Sequence, residues 1–298
     1  MTIRTLAVVG TGLIGTSVAL AASRHRVTVY LADRDESALR AAAARGAGRP
    51  ELPPHPVDLA VLAVPPSQIA PVLAQQQARG LARTYTDVAS VKARPEREIL
   101  ATAPDPSSYV GGHPMAGRER SGPLAARAEL FRDRPWVLTP TRFTTKPAFD
   151  RALGLITLCG GIPRVMRARA HDDAVALTSH APHLLASLMA ARLRDGPVPA
   201  ARLAGQGLRD VTRIARGDSR LWGDIVESNA AAVADVLTRL HEELAGVLTA
   251  LYDLAEPDGD GPGPETRGKS RHTLVDLLER GIAGVGELSD DRPDGTAP

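Results

Sequence analysis

Runs of consecutive apolar residues alternate with helical patterns over the first half of the chain. These runs predict strands at residues 5–9, 27–32, 58–64, 84–88, 109–111 and 136–139. Helices are predicted from the turn after the first strand to about residue 23, and over residues 36–44. Unbroken apolar strands that alternate with helices are typical of a parallel sheet covered on both faces. This half is therefore predicted to be an α/β domain.

After Pro163 the pattern changes to long Ala- and Leu-rich segments with helical periodicity. Residues 168–193 and 219–254 are each predicted to form one long helix, and Asp218 or Ser219 is suited to cap the second. A helical domain rich in apolar positions often pairs with a copy of itself, so we expect a homodimer.

From residue 257 the chain is rich in Gly and Pro and reads as a linker, and a short amphipathic helix is predicted over residues 273–280. A chain of 298 residues is long for a single core, which favours more than one domain. The predicted parts are an α/β domain (1–163), an all-α domain (164–256), and a linker with a short helix and a flexible tail (257–298).

Composition and charge narrow the class of protein. A net charge of +2, without a basic block, gives no reason to expect a nucleic-acid or membrane partner. Cys159 is the single cysteine, so neither an intrachain disulfide nor a cysteine-based zinc site is expected. We find no signal peptide and no apolar stretch of the roughly 20 residues that span a bilayer. The protein is therefore expected to be soluble and cytoplasmic.

A glycine-rich turn, Gly10-Thr11-Gly12-Leu13-Ile14-Gly15, follows the first predicted strand and opens a helix. The first glycine permits a tight turn, the second lets the backbone approach a pyrophosphate, and the third allows close packing of helix and strand. The helix N-terminus offers free N–H groups and a positive dipole end to the phosphates. Residues 1–163 are therefore predicted to bind a dinucleotide.

Asp33 ends the second strand, where an acidic residue is expected to bind the adenosine ribose 2′-hydroxyl. A carboxylate there repels a 2′-phosphate, which favours NAD over NADP. The adjacent Arg34 supports the opposite choice, since a guanidinium could accept that phosphate or stack on the adenine. We expect NAD.

Polar and proline residues follow the next two strands at the carboxyl edge of the sheet, where ligands of open sheets bind. Val64, Pro65 and Pro66 are expected to form a wall of the cofactor cleft, although two prolines also simply end a strand. Ser90 follows the fourth strand and is expected to lie close to a nicotinamide.

His113 stands in the glycine-framed segment Gly111-Gly112-His113-Pro114. A dehydrogenation requires a base that takes the hydroxyl proton as the hydride leaves, and an imidazole with a pKa near 6.5 suits this role. We therefore predict that His113 is the general base, in preference to an ordinary loop histidine.

Several motifs occur together in one order and spacing. They are GTGLIG, Asp33, LAVPPS, DVASVK, GGHPMAGRERSG, TSHAPH (178–183), RDVTRIA (209–215) and LWGDI (221–225). Over residues 5–255 this combination closely resembles the prephenate dehydrogenases. The resemblance implies a Rossmann-like domain followed by an all-α substrate and dimerisation domain. It also implies NAD-dependent oxidative decarboxylation of prephenate to 4-hydroxyphenylpyruvate, without a metal, in tyrosine biosynthesis.

The resemblance also assigns roles to individual residues. It implies that His113 accepts the proton of the C4 hydroxyl and that Ser90 orients this base and the nicotinamide. It further implies that His183 and Arg213 contact the substrate and that Trp222 supplies an apolar wall.

The sequence itself places Ser179, His180 and His183 within one helical turn, with 179 and 183 on one face. Pro182 is expected to kink this helix. The guanidinium of Arg213 suits a substrate carboxylate. The two histidines could instead pack the helix or hold a metal, but no third ligand is evident.

Glu119 matches an acidic position of the family pattern, which implies that it helps to gate or polarise the substrate site. It could instead be a solvated loop charge. Arg118 departs from that pattern, because relatives often carry a small polar residue there.

Other activities remain open. Arogenate and 4-amino-4-deoxyprephenate would require the same base and cleft as prephenate. A β-hydroxyacid dehydrogenase is disfavoured, because residues 168–193 contain no lysine. A non-catalytic dinucleotide sensor would not need Ser90 and His113.

Overall fold

A computed structural model of the protein describes residues 2–117, 120–195, 200–256 and 263–289. The chain groups into two compact units, Met1–Val233 and Ala234–Pro298. This division falls at a different place from the boundaries expected at residues 163 and 256, and those boundaries stay predictions.

The first unit contains a seven-stranded sheet in the order β2-β1-β3-β4-β5-β6-β7. The strands are Thr5–Val9 (β1), Thr28–Ala32 (β2), Leu59–Leu62 (β3), Tyr85–Asp87 (β4), Tyr109–Pro114 (β5), Pro135–Thr139 (β6) and Ile162–Val165 (β7). The first five are parallel, β6 is antiparallel to β5, and β7 is parallel to β6. The expected parallel α/β domain is thereby confirmed, with β7 as an additional edge strand.

Alternation along the central strands explains why both faces of the sheet are covered. In β1, Leu6 and Val8 belong to one apolar core, and Ala7 and Val9 belong to the other. Successive side chains of a strand point to opposite faces, so an unbroken apolar run supplies both cores.

The described helices are Leu13–Arg24 (α1), Glu36–Ala44 (α2), Ile69–Ala78 (α3), Ala93–Thr102 (α4), Lys146–Leu158 (α5), Ala168–Val175 (α6), Ala181–Asp195 (α7), Gln206–Thr212 (α8), Ser219–Ser228 (α9), Ala230–Ala255 (α10) and Pro264–Ser289 (α11). The all-α character expected after the sheet is confirmed. Asp218 caps α9, because its carboxylate accepts the backbone N–H groups of Arg220 and Leu221.

Three helix predictions were wrong in detail. The helix expected over 168–193 contains a π-helical turn, Ala176–His180, between α6 and α7. The turn ends two residues before Pro182, which has no N–H to continue the α-helical ladder. The helix expected over 219–254 is broken at Asn229, between α9 and α10. The short helix expected over 273–280 is the 26-residue α11, so much of the supposed linker is helical.

Of the described residues, one helical stretch, Ala168–Arg194, has the length and composition of a membrane span, so the expectation that no stretch is long and apolar enough was wrong. The same stretch carries His171, Asp172, His180 and His183, all of them buried. His171 and Asp172 hydrogen-bond to residues of the sheet domain. This face of the stretch is therefore packed against protein.

Candidate active site

The predicted cofactor residues and the predicted base lie at one edge of the sheet. β1, β2 and β3 are parallel neighbours, so Gly10, Asp33 and the segment Val64-Pro65-Pro66 follow their carboxyl ends. β4 and β5 run in the same direction, which brings Ser90 and His113 to this edge as well. This is the edge at which open parallel sheets bind their ligands.

Two glycines of the turn after β1 are required by the backbone. Gly10 has a φ of +101°, and a Cβ there would lie 2.2 Å from the carbonyl oxygen of Ala63. At Gly15 a Cβ would lie 2.0 Å from the carbonyl oxygen of Gly10. Among the described residues, no side chain caps the N-terminus of α1. The first N–H groups of α1, from Leu13 and Ile14, can therefore bind an anion such as a pyrophosphate.

Asp33 connects the end of β2 to this turn. Its Oδ2 accepts the backbone N–H and the hydroxyl of Thr11, and its Oδ1 accepts the backbone N–H of Asp35 at 2.9 Å. A carboxylate can accept about four hydrogen bonds, so one acceptor position on Oδ1 remains for a ribose hydroxyl. Arg34 beside it is exposed.

A buried ion pair holds the loop that carries Ser90 against β5. Lys92 Nζ donates to the Asp87 carboxylate and, at 2.7 Å, to the carbonyl oxygen of Gly112. The Asp87 carboxylate also accepts the Tyr109 hydroxyl. Burial lowers the pKa of Lys92, although the negative charge of Asp87 opposes this shift. The pKa of Tyr109 is raised well above its usual value by burial and by Asp87.

His113 is linked to α6 through a second histidine. Its Nδ1 lies 2.8 Å from Nε2 of His171, and Nδ1 of His171 lies 2.8 Å from Oδ1 of Asp172. The Asp172 carboxylate also accepts the backbone N–H groups of Lys92 and Ala93, each at 2.8 Å. Because Nδ1 of His113 is engaged in this way, its Nε2 is the ring nitrogen that remains for a ligand.

The pKa of His113 lies well below 6.5, because burial disfavours the imidazolium and because His171, Lys92 and His180 repel a positive charge there. The expectation of a pKa near 6.5 was therefore too high. The imidazole remains neutral, and able to accept a proton, to a lower pH than an ordinary histidine.

His180, His183 and Trp222 form one aromatic cluster. The His183 ring stacks on the Trp222 ring, with 3.6 Å between centroids and 11° between planes, and His180 meets Trp222 edge-on. His180 Nε2 and His183 Nδ1 are buried and, within the described ranges, have no hydrogen-bond partner. Burial lowers the pKa of His180 to about 4 and also lowers the pKa of His183.

Asn229 joins this cluster to α6. Its side-chain amide nitrogen donates to the backbone carbonyl of Asp172 at 2.8 Å and lies 3.2 Å from Nδ1 of His180. Since that nitrogen is a donor, His180 accepts at Nδ1 and carries its proton on Nε2. The unpartnered Nε2–H is thus a buried donor without an acceptor, which suits a site for an anionic ligand.

The remaining predicted substrate residues differ in how well the structure describes them. Arg213 is exposed, and in the described part of the chain no hydrogen bond or ion pair joins it to another residue. Ser179 is half-buried in the π-helical turn, where the α-helical spacing assumed for residues 179 and 183 does not hold. Arg118 and Glu119 lie outside the described residues. Among the residues that the structure describes, no group of three or more His, Cys, Asp or Glu side chains could hold a metal ion.

The chain was compared with known proteins. Residues 17–164 match the nucleotide-binding domain of prephenate dehydrogenase, and residues 167–258 match its dimerization domain. A probable prephenate dehydrogenase, NovF of Streptomyces niveus, is 45% identical over 282 residues, which cover 94% of this chain and 76% of that protein. The chain belongs to the prephenate dehydrogenase family. As a member, it is an NAD-dependent oxidoreductase with an N-terminal nucleotide-binding domain.

Two further proteins are similar to the chain, one in sequence and one in fold. A cyclohexadienyl dehydrogenase of Zymomonas mobilis is 33% identical, over 86% of this chain and 90% of that protein. The prephenate dehydrogenase of A. aeolicus, solved with hydroxyphenyl propionate and NAD+, has the same fold, with a TM-score of 0.78. It is 24% identical, over 94% of this chain and 99% of that one. The comparisons indicate no nucleic-acid or membrane partner.

Sequence reasoning missed His171, Asp172 and Asn229. Adjacent His and Asp residues in α6 were a usable signal, since a carboxylate beside an imidazole often orients it. In the described part of the chain, no hydrogen bond joins Ser90 to His113. The role of Ser90 in orienting the base therefore stays a prediction.

Proposed function

We propose that the protein catalyses the NAD-dependent oxidative decarboxylation of prephenate to 4-hydroxyphenylpyruvate and CO2, in tyrosine biosynthesis. The observation that carries the proposal is the geometry of His113. Its Nε2 remains for a ligand at the sheet edge that also carries the glycine turn, and its pKa keeps it neutral. Family membership gives this base a reaction to perform.

In the proposed reaction, bound NAD supplies the hydride acceptor for C4 of the substrate. His113 Nε2 takes the proton of the C4 hydroxyl, which leaves a carbonyl at C4. The bond to the ring carboxylate then breaks and CO2 leaves. The electron pair of that bond completes the aromatic ring, and the C4 oxygen becomes a phenolate that takes back a proton. His113 therefore needs to be neutral before the reaction and to hold a proton during it.

The substrate carries two carboxylates, and the helical cluster offers groups that suit them. The buried Nε2–H of His180 is a donor without an acceptor, and His183 Nδ1 is a second buried polar atom without a partner. We propose that these histidines and Arg213 bind the carboxylates, and that Trp222 forms an apolar wall. We retain Ser179 and Glu119 as proposed substrate contacts, and Ser90 as the residue that orients the nicotinamide.

For the cofactor, we propose that the open acceptor position of Asp33 binds the adenosine ribose 2′-hydroxyl, which favours NAD over NADP. The pyrophosphate would lie at the N-terminus of α1, and Val64, Pro65 and Pro66 would form a wall of the cleft. The cation of Arg34 is the feature that opposes strict NAD selectivity. Comparing kcat/KM for NAD and NADP tests this choice.

Arogenate and 4-amino-4-deoxyprephenate are the competing substrates, and the similarity to a cyclohexadienyl dehydrogenase favours keeping them in the test. The experiment measures NADH formation and identifies the product with each of the three compounds. We expect the highest kcat/KM with prephenate. A preference for another compound would reassign the substrate. NAD binding without turnover of any of the three would support a dinucleotide sensor.

The matched variant for this experiment is His113→Ala. Loss of a general base typically lowers turnover by ~10²–10⁴-fold. The affinity for NAD should be unchanged, because NAD is proposed to bind at the turn after β1 and at Asp33 and not through His113. Near-normal turnover by His113→Ala would remove this residue from the mechanism.

We further propose that the protein is a homodimer in the cytoplasm. Residues 167–258 match a dimerization domain. In the second unit, α10 exposes a stripe of leucines at helical spacing, Leu240, Leu244, Leu248 and Leu251. The molar mass measured by light scattering tests the dimer, and cell fractionation tests the location.

A further inference from the structure

Three side chains form a continuous chain of hydrogen bonds behind the proposed base. Oδ1 of Asp172 lies 2.8 Å from Nδ1 of His171, and Nε2 of His171 lies 2.8 Å from Nδ1 of His113. His171 and Asp172 are only 1% and 2% exposed, so water does not compete for these bonds. The chain leads from α6 to the edge of the sheet.

The direction of each bond follows from the carboxylate. An ionised Asp172 can only accept, so Nδ1 of His171 donates to it. A neutral His171 then has a lone pair on Nε2, which accepts the proton on Nδ1 of His113. His113 is thereby left with a lone pair on Nε2, the nitrogen that remains for the substrate.

We propose that His171 and Asp172 are positioning residues, which hold His113 in the tautomer whose Nε2 can accept the substrate proton. This proposal rests on the proposed function of His113 as the base. The opposite tautomer carries a hydrogen on Nε2 and cannot act as a base there. As His113 takes the proton, its Nδ1–H continues to donate to the neutral His171, so this hydrogen bond is kept without reorganisation.

Asp172, which sets this direction, is itself fixed by three further hydrogen bonds. The Asp172 carboxylate accepts two backbone N–H groups at the start of α4, from Lys92 and Ala93. Its backbone carbonyl accepts the side-chain amide of Asn229. The orientation of these hydrogen-bonded side chains is therefore fixed before substrate binds.

The first test reads the tautomer directly and needs no activity. In the 15N spectrum of the histidine-labelled wild-type protein at neutral pH, we expect His113 to carry its proton on Nδ1 and not on Nε2. The assignment comes from the signal that His113→Ala removes. A proton on Nε2 of His113 would overturn the proposal, even if the reaction itself is as proposed.

The second test compares two variants of His171. His171→Leu removes the acceptor, so kcat should fall by ~10²–10⁴-fold, the range for loss of a general base. The Kd for NAD should remain that of the wild type. His171→Gln keeps an oxygen acceptor near the position of Nε2 and should recover part of kcat. An exposed histidine, His55, provides the control, and His55→Leu should leave both constants unchanged.

The outcomes separate this proposal from the proposed function. If a folded His171→Leu protein keeps its kcat, or if Gln restores nothing beyond Leu, His171 does not position the base. If His171→Leu does not fold, the Gln variant and the wild-type spectrum decide. If none of the three substrates is oxidised, the spectrum still tests the tautomer while the proposed function fails.

Discussion

A side chain at Gly12 would fit the protein itself, but we expect it to clash with the pyrophosphate of a bound cofactor. A Cβ built there meets no atom within 4 Å, and the φ of −72° suits any L-residue. At Gly15, three residues further on, a Cβ would lie 2.0 Å from a backbone oxygen. The two glycines of the same turn therefore predict opposite effects: Gly12→Ala should weaken NAD binding, whereas Gly15→Ala should weaken the fold.

The magnitudes follow from this geometry. Gly12 is the N-cap of α1, so replacing it by alanine costs roughly 0.5–1 kcal/mol of helix capping. The lower entropy of the unfolded chain offsets about 0.4–1 kcal/mol of this. A methyl group forced against the pyrophosphate costs ~1–3 kcal/mol, the usual range for overpacking. NAD should therefore bind about 5- to 150-fold more weakly, with little change in stability.

The assay is a titration of each variant with NADH, followed by fluorescence, beside its thermal unfolding curve. Gly15→Ala should lower the unfolding midpoint by roughly 2–4 °C for each kcal/mol of strain. Gly246→Ala is the control, because a Cβ there also meets nothing within 4 Å, on a helix remote in sequence from the turn. If Gly12→Ala binds NADH as the wild type does, the pyrophosphate does not lie against this turn.

Three further predictions concern charge. The His180 pKa, about 4 when folded against 6.5 when unfolded, means that the unfolded state binds more protons between these values, so stability is full above pH 6.5 and falls towards about pH 4. Urea unfolding measures the decrease in the free energy of unfolding between pH 6.5 and pH 4. This decrease should be smaller in His180→Gln than in the wild type by on the order of 3 kcal/mol, and an equal decrease in both proteins would contradict the buried neutral ring. Lys92→Met leaves the buried Asp87 carboxylate without its cation and should lower the free energy of unfolding by ~3–5 kcal/mol, whereas the exposed pair lost in Lys146→Met should cost about 0–1 kcal/mol; similar losses would argue against the buried pair. Arg213→Lys should raise the KM for the substrate roughly 10- to 100-fold and leave the KM for NAD unchanged, and an unchanged substrate KM would make Arg213 structural.

The carboxyl edge of the sheet was predictable, because unbroken apolar strands fix where each chain segment leaves the sheet. Gly10, Asp33, Ser90 and His113 could therefore be assigned to one place from the sequence. β7 was not found, since it is an edge strand with three of its four residues exposed and offers no apolar run.

The link from His113 to His171 was also beyond sequence reasoning, because it joins residues 58 positions apart and depends on how α6 packs against the sheet. Helix α11 was underestimated for a local reason. Gly268, Gly281, Gly284 and Gly286 lie inside it, and glycine composition argues against a helix. Its apolar positions, among them Val275, Leu278 and Ile282, nevertheless repeat at helical spacing.

The π-helical turn Ala176–His180 acts as a phase shift within one continuous helical stretch. Such a turn amounts to a one-residue insertion, and each residue of an α-helix advances the chain by about 100°. His171 precedes the turn and its Nε2 lies 2.8 Å from Nδ1 of His113, whereas His183 follows the turn and stacks on Trp222. We expect that deleting one residue of the turn would restore the α-helical phase. His183 would then rotate away from Trp222, while His171 would keep its direction. A single-codon deletion at Ala176, Leu177 or Thr178 would thus change the angle between His171 and His183 without altering either histidine.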